Sequence, residues 1–273
     1  MTVTRERISA AAHARLAHAN PLSSAQMGEL VARAAATDPA TALDIGCGPG
    51  AFAVGLAARR PVRVRAVEPN GHFVERGRVL AAERELVGSV AFEERALSDA
   101  DGHERFDVVA CIGSSSAIGT PRDALRRCHE LVSERGVVVF ADLVWAAEPP
   151  PEFLDLLGSD ADTFWRREDA LHEFEACGLE SLWSCAASRD SWEAYERAVL
   201  AGRLALSDQL RSVEGETLRE SATVWYDAYQ RHGRVCFGFD AHVARRARRG
   251  NRERSGRGPA ASQRRDDYAG FTA

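Results

Sequence analysis

Apolar positions follow two rhythms along this 273-residue chain, and the rhythms alternate in a regular order. Between positions 41 and 145, short β-branched and apolar runs take turns with stretches of helical period. Residues 42–45 predict a first strand, 62–68 (Val-Arg-Val-Arg-Ala-Val-Glu) a second and 89–93 a third. The run 106–112 (Phe-Asp-Val-Val-Ala-Cys-Ile) suits a central fourth strand, and 136–144 a fifth. Helices are predicted over 51–59 and 73–85, and from Pro121, with Thr120 as N-cap, to about 133. This order predicts a doubly wound α/β fold, its mostly parallel sheet covered by helices on both faces.

Both ends of the chain depart from that rhythm. Residues 5–19 read as an Ala-rich helix carrying His13 and His18, broken by Asn20-Pro21. Ser23 and Gln26 then form a capping box that opens a helix to about 36. All nine Trp and Tyr residues lie after position 144. Residues 167–177 read as a helix stopped by Gly178, 179–187 as a strand, and 234–243 as its antiparallel neighbour. Two helices, 190–210 and 214–231, fall between these last strands as an insertion. The expected division is therefore a helical cap (1–40), a seven-stranded core (41–189 and 234–245), a helical insertion (190–233) and an Arg-rich tail (246–273). The composition of the tail predicts disorder.

Composition narrows the function classes. With 45% hydrophobic and 27% charged residues the chain is an ordinary globular one. It has no apolar run long enough to span a bilayer and no apolar signal core near Met1, so a cytoplasmic location is expected. Its six cysteines are scattered without Cys-x-x-Cys spacing, which suits buried thiols rather than a metal site or disulfides. The sequence has no lysine, which rules out a Schiff-base mechanism. Net charge is −5; residues 244–273 carry nine arginines against three acids, +6, so the remainder stands at −11. An acidic body argues against a nucleic-acid partner. Oligomeric state stays open.

The candidate chemistry lies where the first strand meets its helix: Leu43-Asp44-Ile45-Gly46-Cys47-Gly48-Pro49-Gly50. A Gly-rich turn lets the backbone approach a ligand closely, and the helix behind it points its N-terminus at the turn. Asp44 would repel a phosphate and suits a cationic ligand with hydroxyl and amino donors. Glu68 ends the second strand, where a carboxylate can accept from both hydroxyls of a ribose.

The spacing Asp44-x-Gly46-x-Gly48-x-Gly50 resembles the first motif of class I S-adenosylmethionine-dependent methyltransferases. The same residues also fit a Gly-x-Gly-x-x-Ala nicotinamide turn with Glu68 at a suitable distance; Asp44 argues against that reading. A wider resemblance is carried by His18-Ala19-Asn20-Pro21, Cys111-Ile112-Gly113, Trp145, Trp192 to Glu196 and Cys236-Phe237-Gly238-Phe239. Over roughly 8–245 the chain looks like a bacterial group of stand-alone small-molecule methyltransferases.

The resemblance implies S-adenosylmethionine as cofactor, held by Asp44, Gly46, Cys47, Gly48, Gly50, Glu68, Pro69, Leu97, Cys111 and Gly113. The family often has an acid after the third strand for the adenine amino group. Here that position is Ala96, leaving Leu97 through its backbone, or Asp99 from a shifted loop. The acceptor, a small molecule, is expected to meet Ser114, Ser115, Trp145, Trp192 and Tyr195. Asp142 and His18 are the candidate groups for holding or deprotonating it. Capping of the next segment is an equal role for Asp142. Besides methyl transfer, a nicotinamide oxidoreductase and a non-catalytic cofactor-binding protein stay open.

Overall fold

The computed structural model describes residues 3–97, 104–210 and 213–247. Seven strands form one sheet: β1 (Thr41–Ile45), β2 (Arg63–Glu68), β3 (Val90–Glu94), β4 (Phe106–Ile112), β5 (Val132–Trp145), β6 (Leu179–Ala186) and β7 (Phe237–Arg246). Their order is β3-β2-β1-β4-β5-β7-β6, parallel except for β7, which pairs antiparallel with both β5 and β6. The chain leaves β1 toward β2 on one side and returns to β4 on the other. The crevice beyond the carboxyl ends of β1 and β4 is therefore the place where such sheets receive ligands.

The helices are α1 (Arg5–Ala12), α2 (Ser24–Ala35), α3 (Ala51–Ala57), α4 (Gly71–Glu83), α5 (Pro121–Leu131), α6 (Pro151–Leu157), α7 (Ala170–Ala176), α8 (Arg189–Leu210) and α9 (Val213–Ala228). The capping box of Ser23 with Gln26 opens α2, and Thr120 with Asp123 forms a second one on α5. Helix α2 buries Met27, Leu30, Val31 and Ala34, the i, i+3, i+4, i+7 stripe of a core-facing helix. Successive residues of β1 and β4 are buried on both sheet faces, which explains their nearly continuous apolar runs.

Three boundaries differ most from those expected of the sequence. Helix α1 stops at Ala12, because His13 caps it by turning its Nδ1 back to the Ser9 carbonyl. Arg76 then draws the carbonyls of His13 and Leu16 into a loop, so His18 lies outside any helix. Strand β5 begins at Val132, paired with Phe106 ahead of an irregularity in the ladder. Past α9 the chain keeps a π turn (Tyr229–Gly233) and one more helical turn, so β7 begins at Phe237 and runs to Arg246. Residues 248–273, most of the expected tail, lie outside the described residues, and so does Asp99.

The N-terminal segment is stitched over the sheet ends. The Asn70 side chain donates to the Glu6 carbonyl at 3.0 Å, and Arg76 holds the loop after α1. Gly202 lets α8 touch α1: a Cβ there would stand 2.1 Å from the Ala11 carbonyl oxygen. Segments far apart in sequence thus close over the carboxyl ends of β1, β2 and β4.

Candidate active site

The first turn of the site is built by backbone geometry that side chains resist. Gly46, Gly48 and Gly50 have φ of 62°, 53° and 83°, in the left-handed region. Gly50 is also pinned sterically, since a Cβ would meet the Phe92 ring at 2.7 Å. At Gly48 the nearest heavy atom to a built Cβ is Ala19 Cβ at 3.9 Å, an ordinary van der Waals contact, so a Cβ there would clash with nothing in the protein. The turn borders a cavity of about 360 Å³ lined by Asp44, Gly46 to Pro49, Glu68, Pro69, Asn70 and, from above, His13, His18 and Tyr195.

Two carboxylates face this turn in different states. Asp44 is buried and its Oδ2 has no hydrogen-bond partner. Burial, with the Glu68 charge adding, pushes its carboxyl up to about 7 against a partial offset from the Ala53 N–H. Glu68 accepts from the Asn70 N–H at 2.9 Å and from the Gly48 N–H at 3.0 Å. Burial still raises it above the usual carboxylate range despite those donors. Each Glu68 oxygen keeps a second lone pair, and its orientation is locked to the glycine turn. An orphaned acceptor beside a rigid one suits a ligand rich in N–H and O–H donors.

A second cavity, about 340 Å³, adjoins the first, and Ala19, Asn20, Gly113 and Tyr195 line both. Its walls come from the inserted helices and β7: Trp192, Trp225, Val199, Phe237 and Phe239, with Glu196 and Arg203. Tyr195 stands at the junction. Its hydroxyl lies 2.9 Å from His13 Nε2, while His13 Nδ1 lies 2.8 Å from the Ser9 carbonyl. Since a carbonyl only accepts, Nδ1 carries the proton, and Nε2 accepts from the tyrosine. Burial holds His13 down at about 4, so it is neutral near pH 7.

Several expected contacts stand elsewhere. Trp145 is a core residue, stacked on Phe237 with its indole N–H on the Ala161 carbonyl at 2.7 Å; it lines neither cavity. Ser114 lines the first cavity and donates its hydroxyl to the Ile45 carbonyl at 2.6 Å, which braces the glycine turn. Ser115 is buried beside Asp142 and lines neither cavity. Cys111 is buried against Ser114 Oγ at 3.3 Å, and Leu97 packs toward the core on the other sheet face; neither reaches the first cavity.

His18 lines the first cavity; its Nε2 donates to the Leu22 carbonyl at 2.6 Å, which leaves Nδ1 as the accepting nitrogen of the ring. Asp142 borders the second cavity. Its Oδ1 accepts from the Leu143 N–H at 2.7 Å, its Oδ2 is buried without a partner, and burial pushes it up to about 6. His13 and His18 lie five positions apart and look alike in sequence. The signal that distinguishes them is long-range, the contact with Tyr195 182 residues away.

Residues 43–138 match the family model described as a methyltransferase domain. Over that segment the chain is similar to methyltransferase domains. Over 103 residues it is 34% identical to a ubiquinone biosynthesis O-methyltransferase of Alkalilimnicola ehrlichii, covering 37% of this chain and 40% of that one. The match thus spans less than half the length of that curated relative. Among solved structures, an S-adenosylmethionine-dependent methyltransferase of Thiobacillus denitrificans, in complex with S-adenosyl-L-homocysteine, aligns over 90% of this chain and 100% of its own. Its TM-score is 0.75 at 20% identity. The E. coli protein YjhP aligns with a TM-score of 0.77 at 20% identity, over 88% and 99% of the two chains. At such identities these structures establish the methyltransferase fold alone. Among the described residues no group of three or more His, Cys, Asp or Glu could hold a metal, and no helix is long and apolar enough to cross a membrane.

Proposed function

We propose that this chain transfers a methyl group from S-adenosylmethionine to a small-molecule acceptor, the cofactor in the first cavity and the acceptor in the second. The observation that carries the reading is the buried, unpartnered Asp44 Oδ2 beside the glycine turn. The residues present fit the cofactor. Gly48 lines the cavity without a Cβ to intrude on it, Asp44 Oδ2 lacks a donor, and Glu68 is held with lone pairs to spare. Asp44, the turn from Gly46 to Gly50, Glu68 and Pro69 would hold it.

When bound, the cofactor supplies a methyl group on a sulfonium, already a good leaving group. The protein's own part is positioning and exclusion of water. Tyr195, at the junction of the cavities, aligns the acceptor, its hydroxyl oriented by donation to His13 Nε2. The cap (1–40) closes the site from above, and the insertion (190–233) walls the acceptor. Trp192 and Tyr195 line the second cavity and are the residues assigned the acceptor role in this reading.

Calorimetry tests the reading. Micromolar binding of S-adenosylhomocysteine without NAD binding is expected, and Glu68→Ala should weaken it by about 1–3 kcal/mol, the scale of lost charge-assisted hydrogen bonds. NAD heat without S-adenosylhomocysteine heat would favour the oxidoreductase instead.

A further inference from the structure

The second cavity has apolar walls and one charge that cannot be shed. Helix α8 presents Trp192, Glu196, Val199 and Arg203 at i, i+4, i+7 and i+11, a single stripe facing the cavity. Trp225, Phe237 and Phe239 close the other sides. Arg203 is the sole basic residue among the described residues lining it. Its Nε is buried without a partner, and it forms no hydrogen bond or ion pair with the other described residues.

The acids nearby do not neutralise it firmly. Glu196 is turned to the Trp225 indole N–H, which donates to Oε2 at 2.9 Å, and burial pushes its carboxyl up to about 7. Asp142 sits on the cavity edge with its carboxyl at about 6. Both carboxyls can take up a proton when the cavity turns more negative. A guanidinium keeps its charge in any surroundings, and its fork matches a carboxylate. Aromatic walls alone would also suit an amine, but Arg203 repels a cation.

We propose that the second cavity binds an acceptor whose apolar, ring-bearing body packs against Trp192, Trp225 and Phe239 and whose carboxylate pairs with Arg203. The proposal rests on the methyl-transfer reading for the word acceptor, but its binding test stands apart. In protein loaded with S-adenosylhomocysteine, and again without it, phenylacetate, its methyl ester and phenethylamine are titrated calorimetrically. Phenylacetate should bind about tenfold tighter than the ester, the scale of one charge-assisted contact, with the amine weakest.

Arg203→Gln should abolish that preference. Arg203→Lys, which keeps the charge and loses the fork, should retain part of it and serves if the glutamine variant does not fold. The proposal is overturned if phenylacetate fails to bind at millimolar concentration, if the ester or amine binds as tightly, or if the preference survives in folded Arg203→Gln. Heat from S-adenosylhomocysteine without a carboxylate preference removes only the acceptor class. A carboxylate preference without that heat removes the methyl-transfer reading and leaves the cavity's anion site standing.

Discussion

Replacing Asp44 by asparagine should separate stability from binding at this site. Asp44 is fully enclosed, and burial together with Glu68 moves its carboxyl from 3.8 to about 7. The folded protein therefore binds a proton between about pH 4 and 7 that the unfolded chain has released, so stability from this group falls as pH rises through that window. Three pKa units correspond to roughly 4 kcal/mol of penalty above pH 7, an upper bound for so buried a group. Asparagine keeps the shape and carries no charge. At pH 8 its melting temperature should exceed that of the wild type by several degrees, at ~2–4 °C per kcal/mol for a chain near this size. The gain should shrink toward zero as pH drops to about 4, where wild-type Asp44 is protonated. Affinity for S-adenosylhomocysteine should fall by about tenfold or more, since an acceptor for ligand donors is lost. Scanning calorimetry at several pH values, with a titration at pH 8, reads both effects. A variant that is less stable at pH 8 yet binds unchanged would refute the reasoning.

Other outcomes follow from neighbouring residues. Gly48→Val combines strain at φ 53° with a side chain added to the lining of the first cavity; the variant should fold and lose S-adenosylhomocysteine binding in a titration. Tyr195→Phe keeps the ring and removes the hydroxyl that meets His13. Cofactor affinity should change less than about threefold while turnover drops, and equal turnover would assign Tyr195 to packing alone. Neutral, buried His13, held at about 4, stabilises the fold only while the unfolded chain is also unprotonated. Its contribution is fully present above about pH 6.5 and is lost as pH falls toward 4, so His13→Gln should flatten that limb of a stability–pH curve.

Much of the fold was legible because its signals are local. Ser23 with Gln26 and Thr120 with Asp123 mark helix starts by hydrogen bonds made within four residues, the second followed at once by Pro121. The continuous apolar run of 106–112 marks a strand buried on both faces. Asp44 and the glycines were legible because positive φ and an acid at the strand end coincide within seven positions. The acceptor side was less so. Trp145 reads from sequence as a strand-end aromatic poised over the site, and only its stacking on Phe237 and its bond to Ala161 show that it serves the core. Ser114 looks like a free hydroxyl until the Ile45 carbonyl is placed beside it. The Tyr195–His13 contact and the unpaired Arg203 depend on α8 crossing α1 at Gly202, a tertiary event without a local signature.

A crystal structure grown with S-adenosylhomocysteine tests the central claim most directly. The account predicts the ligand in the first cavity, its ribose hydroxyls on Glu68, a ligand donor on Asp44 Oδ2, and its sulfur facing Tyr195 and the second cavity. A ligand bound elsewhere, or one that leaves the buried oxygen of Asp44 without a donor, would contradict it.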